Sequence, residues 1–255
     1  MYLGKYVYAI IVAGGRGERF ASDGGAVGQP KLFHKINAMP VLSMSAKLVQ
    51  DNPLVDAAVM VINEEYVDLW ADIAKTYQLS KFITVAGGDT RQKSVLAGVL
   101  ACRDCGGDDG SIVIVHDGAR PLTPQHCFDE AVAAAYIYGG AIAAIPVTDT
   151  LKACKGVNTP STFQPTATNS PSIHQTIPRA NVYSAQTPQA FHLSILHDAL
   201  IAAENDGYTG TDDSELVERL GHDVRIVDGS PINIKITRPV DIITAETYLK
   251  HVQGR

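Results

Sequence analysis

Tyr8-Ala9-Ile10-Ile11-Val12-Ala13-Gly14-Gly15-Arg16-Gly17-Glu18-Arg19-Phe20 is an apolar run that breaks into a glycine-rich turn and then into cations. The run has the near-continuous hydrophobicity of a strand buried on both faces. Glycines directly after such a strand let backbone N–H groups approach an anion closely, and phosphate is the natural ligand. Taken alone, the pattern is equally that of a tight turn between a strand and a helix. The remainder of the chain has to decide between them.

Outward from this stretch, strand-like and helix-like pieces alternate. Apolar runs at 6–13, 57–62, 82–86, 111–115 and 141–147 predict buried strands, and helical patterns at about 41–50, 64–77, 91–104 and 124–138 lie between them. In the third helix Val95, Leu96, Val99 and Leu100 share a predicted apolar face. This order predicts an α/β fold, a Rossmann-like mostly parallel sheet with helices on both faces and ligands at the carboxyl ends of its strands. From Lys152 to about Pro178 the composition turns to Pro, Thr, Ser, Asn and Gln with no core-forming period. That segment predicts a loop, or an extended arm that needs a partner surface. After it come a short apolar piece at 182–185, helices at about 193–205 and 213–220, strands at 224–227 and 232–236, and a closing helix at about 239–251. With no internal repeat and no clear linker, residues 1–255 read as one domain, with an excursion over about 152–186.

An apolar fraction of 45% and a charged fraction of 19% over 255 residues describe a folded globular chain. The net charge of −6 argues against nucleic acid as a partner, which would call for an excess of Lys and Arg. No apolar run is long enough for a membrane helix, and no signal-peptide cleavage pattern precedes the glycine turn, so a cytoplasmic location is expected. Four cysteines are too few for a disulfide framework, which fits a reducing compartment. Cys102 and Cys105 form a C-x-x-C with no second pair, at the end of a helical pattern, and read as structural.

Three loops concentrate the chemistry. Arg16, Arg19 and Lys31 follow the glycine turn and could neutralise charge on a phosphoryl group. The P-loop pattern is absent, and Phe20 stands where a dinucleotide fingerprint would place its third glycine. Gly87-Gly88-Asp89-Thr90-Arg91 follows the third strand, where Asp89 or Thr90 would cap the next helix and the glycines leave room for a flat base. His116-Asp117-Gly118-Ala119-Arg120-Pro121 follows the fourth strand. Its carboxylate could hold a metal or a hydroxyl and its guanidinium a phosphate, or the two could simply pair with each other. All three loops are predicted to meet at one rim of the sheet.

Further motifs follow in order. Ala13-Gly14-Gly15-x-Gly17-x-Arg19, Pro30-Lys31, Gly87-Gly88-Asp89-x-Arg91-x-x-Ser94-Val95 and His116-Asp117-Gly118-Ala119-Arg120-Pro121 are joined by Pro146-Val147-x-Asp149-Thr150-Leu151-Lys152, Gln186-Thr187-Pro188-Gln189-x-Phe191, Thr211-Asp212-Asp213 and Asn233-Ile234-Lys235-Ile236-Thr237-Arg238-Pro239. From about residue 6 to residue 249, this series resembles the signature of the 2-C-methyl-D-erythritol 4-phosphate cytidylyltransferase family. The resemblance implies a glycosyltransferase-A-like (GT-A-like) nucleotidyltransferase fold, CTP and a polyol phosphate as substrates, a divalent cation, usually Mg²⁺, and a role in non-mevalonate isoprenoid synthesis. It also implies a homodimer in which the arm reaches across the two-fold axis.

Position by position, the resemblance assigns Arg19 and Lys31 to transition-state stabilisation and Arg179 and Lys235 to placing the sugar phosphate, Arg179 in the neighbouring subunit. Ala13, Gly14, Gly15, Gly17, Gly88, Asp89 and Ser94 match the nucleotide pocket. Asp117, Arg120, Thr150, Thr187 and Thr211 match substrate contacts, with Asp117 also a candidate, direct or indirect, for the metal. The segment from Phe20 to Gln29 is longer than the family's usual loop, Leu32 stands where Gln is common, and the arm is longer than usual. Transfer to another polyol phosphate such as ribitol 5-phosphate is the alternative within the enzyme class. A nucleotide or sugar-phosphate sensor without catalysis is the alternative outside it.

Overall fold

A computed structural model describes residues 1–15, 20, 30–155 and 170–253. The seven-stranded sheet contains β1 (Val7–Val12), β2 (Ala57–Ile62), β3 (Phe82–Ala86), β4 (Ile112–Asp117), β5 (Gly140–Pro146), β8 (Tyr183–His192) and β9 (Arg225–Asp228), and the order across it is β9-β5-β8-β4-β1-β2-β3. Only β8 is antiparallel to its neighbours β4 and β5, and the other described pairings of this sheet are parallel. The helices are α1 (Val41–Asp51), α2 (Val67–Thr76), α3 (Arg91–Asp104), α4 (Gln125–Tyr138), α5 (Leu193–Asn205), α6 (Asp213–Arg219) and α7 (Pro239–Gln253).

β1 makes the layering visible. Val7, Ala9 and Ile11 point into a core shared with α1, α2, α4 and α7, whereas Tyr8 and Ile10 point into a second core shared with α3, α5 and α6. Side chains of a strand alternate between faces, so a continuously apolar strand feeds two cores at once. α3 lies close on β1 because Gly98 faces it: a Cβ there would come 2.6 Å from Ile10 Cγ2. The predicted face of α3 is corrected in one place, since Leu100 is exposed while Val95 and Val99 are buried. Gly139, with φ +89°, ends α4 by donating its N–H to Ala135 at 2.8 Å, a left-handed position that favours glycine.

The excursion contains an antiparallel pair, β6 (Leu151–Lys155) and β7 (Ser172–Ile177), that forms a separate ladder. Residues 156–169 lie outside the described residues. The chain rejoins the main sheet at Tyr183, opposite Pro146, a little before the boundary expected near 186. What reads in sequence as a short apolar piece at 182–185 is the start of the ten-residue β8. Its register is broken between Ala185 and Gln189, so Gln186-Thr187-Pro188 bulges out of the ladder, with a cis Thr187–Pro188 bond.

The strand expected at 232–236 does not form. Ile232, Ile234 and Ile236 alternate as a strand would, but the backbone of this segment bonds to loops: Ile236 N–H donates to Ala119 O at 2.8 Å, and the Asn233 carbonyl accepts from Arg120. The segment therefore lies across the loop after β4 instead of lengthening the sheet.

Candidate active site

The carboxyl ends of β1 and β4 adjoin, with Val12 in register with Asp117, and the loop after β3 reaches them past β2, where Gly14 faces Ser94. Asp117 is 7% exposed and is surrounded by cations from three parts of the chain. Lys235 Nζ stands 2.8 Å from Oδ2, Arg120 Nε 3.4 Å from the same oxygen, and Arg91 Nε 3.8 Å from Oδ1. Arg91 also donates two bonds, at 2.9 and 2.7 Å, to the buried carboxylate of Asp213. Burial pushes the Asp117 carboxyl towards its neutral form, but Lys235, then Arg91 and Arg120, more than offset this and hold it well below the usual carboxylate range. Asp213, with Arg91 as its chief opposing cation, stays above that range because burial dominates. Arg91 itself is held more firmly protonated: burial is the largest single influence and opposes its charge, but Asp213, Asp117 and Asp212 together more than offset it.

The cluster rests on buried polar groups. Asn233 is fully buried. It donates to Thr187 O at 2.8 Å and Gln186 Oε1 at 3.1 Å, and accepts from Thr123 Oγ1 at 2.6 Å, while its carbonyl accepts from Arg120 Nη1 at 2.7 Å. One side chain thus ties the Lys235 segment to the loop after β4 and to the β8 bulge. Gln189 donates to Asp212 Oδ2 at 2.9 Å and accepts from the Asp213 and Ser214 amides at 3.2 and 3.1 Å. Asp212 caps α6 by accepting from Glu215 N–H at 3.0 Å, so the helix start that carries Asp213 is fixed to β8. His116, fully buried with its ring 4.9 Å from that of Phe128, is pushed down to about 4 by burial, against the attraction of Asp117, and is neutral at physiological pH.

The glycine side is different. Thr90 rather than Asp89 caps α3, accepting from Lys93 N–H at 3.1 Å, and Asp89 projects outward with Lys93 Nζ 3.8 Å from its carboxylate. Ser94 Oγ accepts from Gly88 N–H at 3.1 Å and donates to Thr90 O at 2.9 Å. A Cβ on Gly87 would lie 3.1 Å from Ser94 Oγ, one on Gly88 2.5 Å from Lys93 Cβ, and one on Gly14 3.5 Å from Ser94 Oγ. Gly88 is thus required by the protein's own helix start, and Gly87 packs tightly against Ser94, a structural reason beside the room for a base expected of them. Gly15 has open space where a Cβ would be. Gly14 meeting Ser94, and Arg91 meeting Asp117, bring the three loops to one rim as predicted.

The model of the family described as 2-C-methyl-D-erythritol 4-phosphate cytidylyltransferase matches residues 7–251. A protein of that name from Syntrophus aciditrophicus is 40% identical over 251 residues, 98% of each chain. One from Dehalococcoides mccartyi is 36% identical over 251 residues, covering 98% of this chain and 99% of its own. The chain belongs to the 2-C-methyl-D-erythritol 4-phosphate cytidylyltransferase family. The crystal structure of 4-diphosphocytidyl-2C-methyl-D-erythritol synthase from Anaerococcus prevotii superposes with a TM-score of 0.78 at 28% identity over 97% of both chains.

Within this cytidylyltransferase fold the predicted residues divide into groups. Asp117, Arg120 and Lys235 form one cluster, and Ala13, Gly14, Gly88 and Ser94 line the adjoining strand ends. Lys31 opens a short 3₁₀ turn, Lys31–Phe33, anchored by the buried Leu32 and Phe33. Thr187 is buried, its hydroxyl engaged by the Asp117 amide and His116. Thr211 bonds Glu215 through both its amide and its hydroxyl, at 2.6 and 2.7 Å. Thr150 is exposed just before β6, and Arg179 donates to Thr148 O at the base of the arm. Gly17 and Arg19 lie outside the described residues, as does Arg16. Sequence reading gave no role to Arg91, His116, Gln186, Gln189, Asp213 or Asn233. All six stood in the motifs, but their partners are distant in sequence: Arg91 and Asp213 are separated by 122 positions.

Proposed function

We propose that this protein transfers CMP from CTP to 2-C-methyl-D-erythritol 4-phosphate, releasing pyrophosphate and forming 4-diphosphocytidyl-2-C-methyl-D-erythritol. The observation that carries the reading is the cluster on Asp117, together with the family to which the chain belongs. Three cations, Arg91, Arg120 and Lys235, converge on Asp117 from three parts of the chain, so positive side chains are gathered at the strand ends. A phosphomonoester is anionic at neutral pH and attacks the α-phosphorus of CTP without a general base. The obstacle is repulsion between two anions, and pre-oriented cations lower it while holding the attacking and leaving oxygens in line.

Lys235 and Arg120 receive the polyol phosphate. Lys31 and Arg19 neutralise charge on the triphosphate, and Gly14, Gly15, Gly17, Gly88, Asp89 and Ser94 hold the nucleotide. Thr150, Thr187 and Thr211 contribute to the polyol side, Thr187 chiefly through the Asp117 amide. Mg²⁺ is the cation in this reading. Among the described residues no group of three or more His, Cys, Asp or Glu side chains is placed to ligate a metal. Asp117 already has cations on both oxygens, a poor setting for a direct ligand. The described residues therefore offer such an ion no direct ligand set, and Asp117 would act on it only indirectly. When bound, such an ion offsets negative charge on the phosphates.

The protein acts as a homodimer in the cytoplasm. In the arm, β6 and β7 pair only with each other among the described residues, and Ile173 is 63% exposed, as expected of a ladder that is completed by a second surface. Arg179 at its base would then serve the partner's site. The four cysteines are free, in keeping with a reducing compartment, and no helix among the described residues is long and apolar enough to cross a membrane. A pyrophosphate-release assay with CTP and Mg²⁺ tests the reaction. Release with methylerythritol phosphate is expected. Release with ribitol 5-phosphate alone moves the assignment to the other polyol, and release with neither supports a sensor. Sedimentation of an active monomer would remove the dimer.

A further inference from the structure

His116 is fully buried and engaged at both ring nitrogens, yet the reaction as proposed gives it no step. Nε2 lies 3.2 Å from the carbonyl oxygen of Arg120. A carbonyl can only accept, so Nε2 carries the proton and Nδ1 of the neutral ring is bare. Thr187 Oγ1, 3.0 Å away, therefore donates to Nδ1. The same Thr187 oxygen accepts the Asp117 N–H at 3.1 Å. Bond directions are thereby fixed: Asp117 amide to Thr187, Thr187 to His116, His116 to the Arg120 carbonyl.

The two ends of this relay are the two ends of a turn. Asp117 O accepts from Arg120 N–H at 3.0 Å, and the side chains that leave that turn are the carboxylate and guanidinium 3.4 Å apart at the site. Packing on Phe128 fixes the ring plane, with the centroids 4.9 Å apart and the planes inclined at 55°. Thr187 belongs to the β8 bulge, so the ring also sets the distance between the turn and that bulge. The geometry points to His116 as a positioning residue that orients Asp117 and Arg120 toward the polyol phosphate without touching it. The inference rests on the cytidylyl-transfer reading for what is positioned, and on the relay alone for how.

Three substitutions and one spectrum test it. His116→Phe keeps the ring on Phe128 and removes both nitrogens. Its kcat/KM for the polyol phosphate should fall about 10²-fold, the usual penalty for a misplaced reacting group, with KM for CTP unchanged. His116→Gln can restore the donor to the Arg120 carbonyl and His116→Asn the acceptor for Thr187, so each should recover part of that loss. A Phe variant with wild-type kcat/KM overturns the inference. So does a loss that follows melting temperature across the three variants and raises both KM values together. Nitrogen NMR of the wild type without substrate should find the Nε2-protonated tautomer, and the Asp117 amide signal should move in the His116→Phe protein. An Nδ1-protonated ring, or an unmoved amide, overturns the inference whatever the turnover. Wild-type protein that gives the expected spectrum but no pyrophosphate leaves the positioning role standing and removes the cytidylyl-transfer reading instead.

Discussion

The two halves of the site are built from different materials. At the ends of β1 and β3 the groups are glycines and one hydroxyl, Ser94, with Gly15, Gly88 and Asp89 open to solvent. At the end of β4 they are charged side chains, held by Asn233, Gln189 and His116 in a buried network. An open, glycine-lined rim suits a flat, flexible nucleotide that brings its own charges. A rigid cation cluster suits a small phosphomonoester whose oxygens must be aimed. The contrast teaches that orientation is concentrated on one side, so damage there should appear in turnover and damage on the other in nucleotide affinity.

The largest expected effects lie with the cations. Lys235→Met should lower kcat/KM for the polyol phosphate by about 10³-fold, and Lys31→Ala should lower kcat by at least about 10²-fold, both with the fold retained by circular dichroism. Wild-type kcat in either variant, measured by steady-state pyrophosphate release, ends that residue's assignment. Asn233→Leu comes next. It strands the Thr187 carbonyl in the interior and leaves Gln186 Oε1 with Ser230 and the Thr123 hydroxyl with the Arg120 carbonyl as single partners, so a stability loss of about 1–3 kcal/mol in urea should accompany at least a tenfold fall in kcat. Intact stability with lost turnover would mean that Asn233 touches substrate rather than aligning its neighbours.

On the open side the effects should be smaller and of another kind. Gly88→Ala forces a Cβ to within 2.5 Å of Lys93 Cβ and should raise KM for CTP about tenfold, at a stability cost of about 1–2 kcal/mol. Gly15→Ala meets nothing within 4 Å and should leave urea stability within about 0.5 kcal/mol of wild type, so any change it makes would be in CTP affinity alone. A polyol-phosphate KM that moves as much as the CTP KM in Gly88→Ala would break the division into halves.

A pH titration sharpens it further. His116 is depressed from the ordinary 6.5 to about 4 in the fold, so between those values the unfolded chain binds more protons. Its contribution to stability is fully present above about 6.5 and is lost as pH falls towards 4. The drop in urea midpoint from pH 7 to pH 5 should therefore be smaller in His116→Phe than in wild type. Equal drops would place the ring in contact with water.

Much of the fold was legible because its signals are local. Continuous apolar runs marked β1, β2 and β4, and the helical period marked α1, α3 and α5, close to their observed limits. β8 was not, because Gln186-Thr187-Pro188 interrupts its pattern and its pairing partners lie far off in the chain. The 232–236 segment failed in the opposite sense. Its alternation is real, but Ile236 bonds the loop after β4 instead of a strand.

By itself, the sequence determined the order of strands and helices, the three glycine- or charge-bearing loops at their ends, and the resemblance that names the substrates. These depend on hydrophobic period and residue type, which are properties of neighbours. Tertiary structure alone decided that Asp117 faces three cations, that Arg91 is shared between Asp117 and Asp213, and that His116 and Asn233 work beneath the site. Those contacts join residues up to 122 positions apart, and a buried polar group finds its partner through the packing of the whole sheet.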